Sequence, residues 1–106
     1  MSGPDEGLFW ELAEEHLATG AERSTMMGLT CLRIDGTFFV SMDCHTGDLI
    51  AKLPSDRVCF LEAAGTGQAF APNGRRFKEW IQIPQRDRSL WDALITEARE
   101  FATHDS

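Results

Sequence analysis

Residues 26–43, with the sequence MMGLTCLRIDGTFFVSMD, decide the fold of this chain. Apolar and β-branched residues lie on both sides of Asp35-Gly36, and an Asp-Gly pair between two such runs is the strongest short signal for a β-hairpin. We therefore predict one strand from Met26 to Ile34 and another from Thr37 to Asp43. A two-residue turn at Asp35-Gly36 places Ile34 opposite Thr37.

The alternation of side chains along each strand assigns the hairpin residues to two faces. A regular ladder from this turn places Cys31 opposite Val40. One face then carries Leu29, Cys31, Phe38, Val40 and Met42, and the other carries Leu32, Ile34 and Phe39. Because both faces are substantially apolar, we expect a loop, a helix or another subunit to cover the second one. We predict a homodimer through the sheet or its edge strand.

The rest of the chain predicts helices and strands that extend this hairpin into a complete domain. Apolar residues recur at helical spacing at Phe9, Leu12, Ala13 and Leu17, and again from Trp91 to Phe101. The predicted elements are a helix over 5–19, strands over 26–34, 37–43 and 48–53, a short helix over 54–64, strands over 68–71 and 77–83, and a helix capped by Ser89. This order, α-β(3)-α-β(2)-α, predicts an α+β fold: a two-layer α/β sandwich with an antiparallel five-stranded sheet.

Composition indicates one globular domain over residues 1–106. The chain is 42% hydrophobic and 25% charged, and a chain of 106 residues can bury one core without disulfides or metals. The amino terminus has no signal-peptide pattern, and no apolar run is long enough to cross a membrane. We therefore expect a cytoplasmic protein with no membrane contact.

The charge balance disfavours nucleic acid as a partner. Ten Lys and Arg residues stand against 17 Asp and Glu residues, which gives a net charge of −7. A protein this acidic is repelled on average by a phosphate backbone. A local basic run, Arg75, Arg76 and Lys78 with Arg86 and Arg88 further on, keeps DNA contact open as an alternative.

The cysteines indicate a reducing compartment. Cys31, Cys44 and Cys59 are an odd number without a C-x-x-C pair, which argues against a disulfide framework. Cys31 and Cys59 fall in apolar stripes and are expected to be small core residues. Cys44-His45 alone suggests nucleophilic catalysis, so a cysteine-dependent enzyme is the weakest alternative.

We expect neither a metal nor another cofactor. His16 and His104 lie near opposite ends of the chain, whereas a zinc site usually needs two close pairs of ligands. Gly65-Thr66-Gly67 lacks the spacing of the glycine loops that hold phosphates.

Several blocks of residues carry a family resemblance through their order and spacing. They are Met26-Met27-Gly28, Ile34-Asp35-Gly36-Thr37-Phe38-Phe39, Lys52-Leu53-Pro54 with Asp56-Arg57, Phe70-Ala71-Pro72-Asn73-Gly74-Arg75-Arg76-Phe77-Lys78-Glu79-Trp80, and Ile83-Pro84. Over about residues 8–103 the chain resembles the amino-terminal domain of the TfoX family. The resemblance implies a secretion-chaperone-like fold of order α-β(3)-α-β(2)-α, shared with the related YjbR group.

What the resemblance implies about function is narrower. Longer TfoX proteins regulate natural competence and carry a second, helical carboxy-terminal domain, for which this chain has no room. We therefore expect a stand-alone TfoX amino-terminal-like domain. The family supplies no established catalytic residues, so none is assigned here.

The sequence offers one candidate interaction patch, which consists of Gly74, Arg75, Arg76, Lys78 and Trp80. Its guanidinium groups could grip a carboxylate or phosphate, and its tryptophan could serve as a binding hot spot. The structural alternative is that Trp80 only packs on the sheet while Arg75 or Arg76 pairs with Glu79 or Asp56.

The function predicted from these residues is a non-enzymatic protein-interaction module, with or without a regulatory role, that binds a protein partner not identified by the sequence. The alternative is a transcription or competence-type regulator that contacts DNA through Arg75, Arg76, Lys78 and Arg88.

Overall fold

The computed structural model describes residues 7–26, 29–43, 46–71, 74, 77–85 and 87–104. These residues form three helices and six strands. In chain order they are α1 (Gly7–Ala18), β1 (Glu22–Met26), β2 (Leu29–Ile34), β3 (Thr37–Met42), β4 (Leu49–Lys52), α2 (Ser55–Ala63), β5 (Gln68–Ala69), β6 (Trp80–Ile83) and α3 (Arg88–His104). The strands make one antiparallel sheet of order β1-β2-β3-β4-β6-β5. The α+β class and the antiparallel sheet are thus confirmed.

The two-residue turn at Asp35-Gly36 is present as predicted. Ile34 of β2 lies opposite Thr37 of β3. Asp35 has a φ of 52° and Gly36 a φ of 80°, and a turn with positive φ at both central residues matches the twist of the flanking strands.

A β-bulge changes the register beyond this turn. Arg33 pairs with Phe38 but Leu32 pairs with Val40, so Phe39 is an extra residue in β3. The predicted pairing of Cys31 with Val40 is therefore wrong, since Cys31 lies opposite Ser41.

The bulge also reassigns the two faces of the hairpin. Phe39 and Val40 both belong to the main core, together with Leu32, Ile34 and Met42. Cys31 and Phe38 lie on the opposite face of the sheet, and the side chain of Leu29 lies outside the described part. The prediction that Val40 and Met42 share a face with Cys31 is wrong for this reason.

The sheet has one strand more than the five predicted, because β1 precedes the hairpin. Its sequence, Glu-Arg-Ser-Thr-Met, shows no apolar alternation, which is typical of a polar strand at the edge of a sheet. The last predicted strand is also shorter than expected. Residues 77–79 form a turn before β6, with the Trp80 amide donating to the Phe77 carbonyl at 3.2 Å. The predicted tight turn at 72–74 lies outside the described residues except for Gly74.

All three helices contribute side chains to a single core against one face of the sheet. Most of the predicted stripe residues are buried, with Phe9 and Ala13 of α1 and Trp91 and Ile95 of α3 fully enclosed, whereas Leu17 and Phe101 at the ends of the stripes are half-buried. α2 adds Val58 and Leu61. None of the helices in the described part of the chain is long and apolar enough to cross a membrane.

The cap of α3 differs from the prediction. The helix begins at Arg88, and the carboxylate of Asp87 accepts a hydrogen bond from the Leu90 amide at 3.1 Å. Ser89 therefore lies inside the first turn, and Asp87 is the capping residue. Trp91 is held in place by its indole N–H, which donates to the Gln85 carbonyl at 2.6 Å.

Candidate functional site

The candidate interaction patch lies at the turn that leads into β6. Lys78 is exposed, Trp80 is half-buried, and Gly74 is exposed with a φ of +79°. Arg75 and Arg76 lie outside the described residues. The described side chains of the patch are therefore those of Lys78 and Trp80.

Backbone hydrogen bonds fix the turn that presents these two side chains. The Phe77 amide donates to the Phe70 carbonyl at 3.0 Å, which closes the loop between β5 and β6. The Leu53 amide, just after β4, donates to the Glu79 carbonyl at 2.9 Å. The turn is thus tied to the end of a central strand, which makes it a defined platform.

The rings of Phe70, Phe77 and Trp80 form an aromatic cluster at this turn. Phe70 is buried and stacks on Phe77 with ring centroids 5.8 Å apart. Trp80 lies 6.5 Å from Phe70 in a tilted arrangement. Because Trp80 precedes the fully buried Ile81 in β6, its side chain lies on the face of the sheet away from the helical core. Trp80 thus packs on the sheet, as the structural alternative expects, and remains partly accessible.

A groove of about 440 Å³ opens beside this cluster. It is lined by Lys52, Ser55, Phe77, Lys78, Glu79 and Trp80, and we call it the Trp80 groove. Its volume lies in the range of about 300–1,000 Å³ that is typical of ligand sites. Lys52 enters because it lies opposite Trp80 in the β4–β6 ladder, and Ser55 because α2 begins there.

Lys52 and Ser55 were not among the predicted site residues. Helix α2 and strand β5 lie between Lys52 and Trp80 in the chain, and the antiparallel pairing of β4 with β6 brings the two residues alongside each other. The sequence held one usable signal: Lys52 and Lys78 are the two lysines of the chain.

The electrostatic surroundings of the lysines differ from those of the described arginines. Arg33 pairs with Glu22, Arg57 pairs with Glu97, and Arg88 pairs with Glu11. Arg99 donates to the Thr19 hydroxyl and carbonyl, both at 2.6 Å, and Arg23 lies over the Trp10 ring at 4.4 Å. Within the described ranges, no carboxylate lies within 4.0 Å of the amino group of Lys52 or Lys78.

The remaining candidate residues, the three cysteines and His45, lie away from the lining of the Trp80 groove or outside the described residues. Cys44 and His45 lie outside the described residues. Cys31 is buried as predicted, and burial raises the pKa of its thiol. Cys59 is exposed on α2, so the prediction that it is a core residue is wrong; it lies on the solvent side of a helix whose buried residues are Val58 and Leu61.

The turn between β3 and β4 brings two acidic residues close together. The Gln82 amide donates to the Asp48 carboxylate at 2.8 Å and to the Asp43 carboxylate at 3.5 Å. These contacts join β6 to the loop before β4. In the portion of the chain that is described, no three side chains of His, Cys, Asp or Glu are grouped so as to hold a metal ion.

No protein-family model matches the chain, and no curated protein or solved structure is detectably similar to it. The Trp80 groove is therefore the feature of the molecule that bears on its function.

Proposed function

We propose that this chain is a non-enzymatic interaction module that binds a protein partner through the Trp80 groove. The main support for the proposal is the half-buried Trp80, which packs in the aromatic cluster and lines one groove together with both lysines of the chain. Tryptophan in a preformed concavity is the residue type most often found at binding hot spots. Backbone hydrogen bonds hold the turn that presents Trp80, so the groove needs little reorganisation on binding. This lowers the entropic cost of association.

The proposal includes a TfoX amino-terminal type of domain, secretion-chaperone-like and YjbR-like, in the cytoplasm. Its support is the resemblance of the residue blocks together with the α+β fold of three helices and an antiparallel sheet. Three cysteines, an odd number without a C-x-x-C pair, favour a reducing compartment. The strand β1 is an addition to the order that the resemblance implies.

Affinity capture from the native cell extract tests the proposal. Tagged wild-type protein, Trp80→Ala and Phe60→Ala are compared with and without nuclease, and retained proteins are identified by mass spectrometry. Phe60 is the matched control because it is an exposed aromatic residue, 61% accessible, on α2 outside the groove. We expect a stoichiometric protein that survives nuclease, is retained by Phe60→Ala and is lost with Trp80→Ala.

Two results would contradict the proposal. Retention of the same partner by a folded Trp80→Ala variant would place binding elsewhere. Partners that disappear with nuclease, or capture of nucleic acid itself, would favour the regulator that contacts DNA through Arg75, Arg76, Lys78 and Arg88. Circular dichroism of each variant establishes that it is folded.

Homodimerisation is a separate part of the proposal. It is supported by β1, a strand of five residues that ends the sheet, because an edge strand can pair with the edge of a second copy. Light scattering is expected to give about twice the chain mass of 11.9 kDa. A mass of 11.9 kDa at every concentration would contradict the dimer.

A further inference from the structure

We infer that the Trp80 groove recognises an acidic segment of a protein, in which two carboxylates flanking an apolar side chain are bound by Lys52 and Lys78. The inference rests on the proposed function and adds the chemistry of the partner to it. It follows from the distribution of charge, from the composition of the groove walls and from the presence of Glu79.

The distribution of charge is the first argument. The chain has two lysines in 106 residues, and both line this one groove. The described arginines already have carboxylate, hydroxyl, carbonyl or aromatic partners, whereas neither lysine has a carboxylate within 4.0 Å among the described residues. In a protein of net charge −7, this groove therefore gathers both lysines against one carboxylate, that of Glu79, and neither lysine is held in an ion pair with a described residue.

The composition of the groove walls is the second argument. Phe77 and Trp80 supply apolar surface to the groove that both lysines line, and both are half-buried. A ligand that carried charge alone would leave these rings uncovered. An apolar side chain lying on the rings, with an acidic side chain toward each lysine, fits both parts of the groove.

Glu79 favours a polypeptide over a nucleic acid. Its side chain lines the same groove and is exposed. A carboxylate repels acidic side chains as well as phosphates, but a peptide can place an uncharged residue beside Glu79 and donate a backbone amide N–H to it. A phosphate backbone, charged at every unit, cannot do so. The Ser55 hydroxyl, also in the wall, can donate to a ligand carboxylate or accept from a peptide amide.

The two lysines can report directly on this binding. Reductive methylation with ¹³C-formaldehyde converts each lysine to a dimethyl amine that keeps its charge, so the NMR spectrum contains signals from Lys52, Lys78 and the amino terminus. The probe is a short acetylated peptide of alternating glutamate and leucine. The control peptide has glutamine in place of glutamate, and a single-stranded DNA oligonucleotide serves as the third ligand.

We expect the glutamate peptide to shift both lysine signals and the glutamine peptide to shift neither. The double variant Lys52→Gln/Lys78→Gln should bind the glutamate peptide about tenfold more weakly or worse, since it loses two charge pairs. Arg33→Gln is the matched control, because it removes a positive charge from β2 outside the groove, and it should bind as the wild type does.

Failure of the glutamate peptide to shift the lysine signals would overturn this inference. If capture of a protein still depends on Trp80, the proposed function stands and only the acidic chemistry of the partner is wrong. Larger lysine shifts with DNA than with the glutamate peptide would also overturn the inference, in favour of a nucleic-acid site. Equal binding by the double variant would show that the lysines do not determine recognition.

Discussion

Arg99 of α3 directs its Nη1 at the Nδ1 of His16 of α1, 3.1 Å away. The same guanidinium donates to the hydroxyl and the carbonyl of Thr19, both at 2.6 Å, so it closes the end of α1 against α3. A guanidinium can only donate, and the Nδ1 of His16 must therefore be the acceptor, with the ring proton on Nε2. The contact requires a neutral imidazole.

This contact predicts a loss of stability in mild acid. Burial, and then the charge of Arg99, hold the pKa of His16 below its usual 6.5, although Glu15 and Asp92 act in the opposite direction. The unfolded chain therefore binds a proton as the pH falls through about 6.5 while the folded chain stays neutral. The free energy of unfolding should decrease below that pH and level off only below the lowered pKa of the folded protein.

Urea unfolding at a series of pH values from neutral to mildly acidic tests the role of His16. The control is His16→Gln, whose amide oxygen can still accept from Arg99 but does not titrate. His45 and His104 are present in both proteins, so the difference between the two pH profiles isolates His16. Parallel profiles would show that His16 is not responsible.

A side chain at Gly67 is expected to destabilise the fold. A Cβ at this position would lie 2.6 Å from the Ile81 Cδ1 and 2.7 Å from the Ile83 Cδ1, and both isoleucines are fully buried in β6. Gly67→Ala should lower the free energy of unfolding by about 1–3 kcal/mol, as measured by urea denaturation. Ile81→Val removes the nearest clashing atom, Ile81 Cδ1, although Ile81 Cγ1 at 2.8 Å and Ile83 Cδ1 remain close, so the double variant should lose somewhat less than the sum of the two single changes. A Gly67→Ala variant as stable as the wild type would contradict the proposed clash, and additive losses would show that Ile81 Cδ1 does not contribute to it.

Asp87 is expected to stabilise the start of α3, and Ser89 is not. Asp87→Ala removes the acceptor of the Leu90 amide and should cost about 1 kcal/mol of unfolding free energy. Ser89→Ala, the matched control two residues along, should change it by less than about 0.5 kcal/mol. Thermal and urea unfolding of the two variants decides between the caps. The reverse order of effects would restore Ser89 as the capping residue.

The two described cysteines are expected to differ sharply in reactivity. Cys59 is exposed, whereas Cys31 is buried and has a raised thiol pKa. Since the thiolate is the reactive form, iodoacetamide should modify Cys59 of the folded protein and reach Cys31 only after unfolding. Peptide mapping by mass spectrometry measures both sites in one experiment. Modification of Cys31 at the rate of Cys59 in native conditions would contradict the burial of β2.

The hairpin and the helices could be predicted because their signals are local. Asp35-Gly36 defines its own turn through backbone conformation, and the apolar stripe of α3 repeats over several turns of helix. The bulge at Phe39 has no such signal. Because Phe38-Phe39-Val40 is apolar throughout, the sequence does not indicate which residue forms the bulge. The packing of both Phe39 and Val40 into the core determines its position.

The candidate site was only half predictable for the same reason. Lys78 and Trp80 belong to one short block, whereas Lys52 reaches Trp80 through the pairing of β4 with β6. In the chain, α2 and β5 separate β4 from β6, so the pairing of these strands depends on how the intervening elements fold back onto the sheet. No local sequence pattern predicts it. The strand β1 was missed because an edge strand that buries little needs no apolar alternation.

The placement of both lysines in the Trp80 groove also determines how the protein responds to amine chemistry. Acylation of Lys52 and Lys78 would change the net charge from −7 to −9, since −7 − 2 = −9, and the whole change would fall in one groove. Immobilising the protein on a sensor surface through its amines would couple it by this groove or by its amino terminus. Coupling through the thiol of the exposed Cys59 would leave both lysines unmodified.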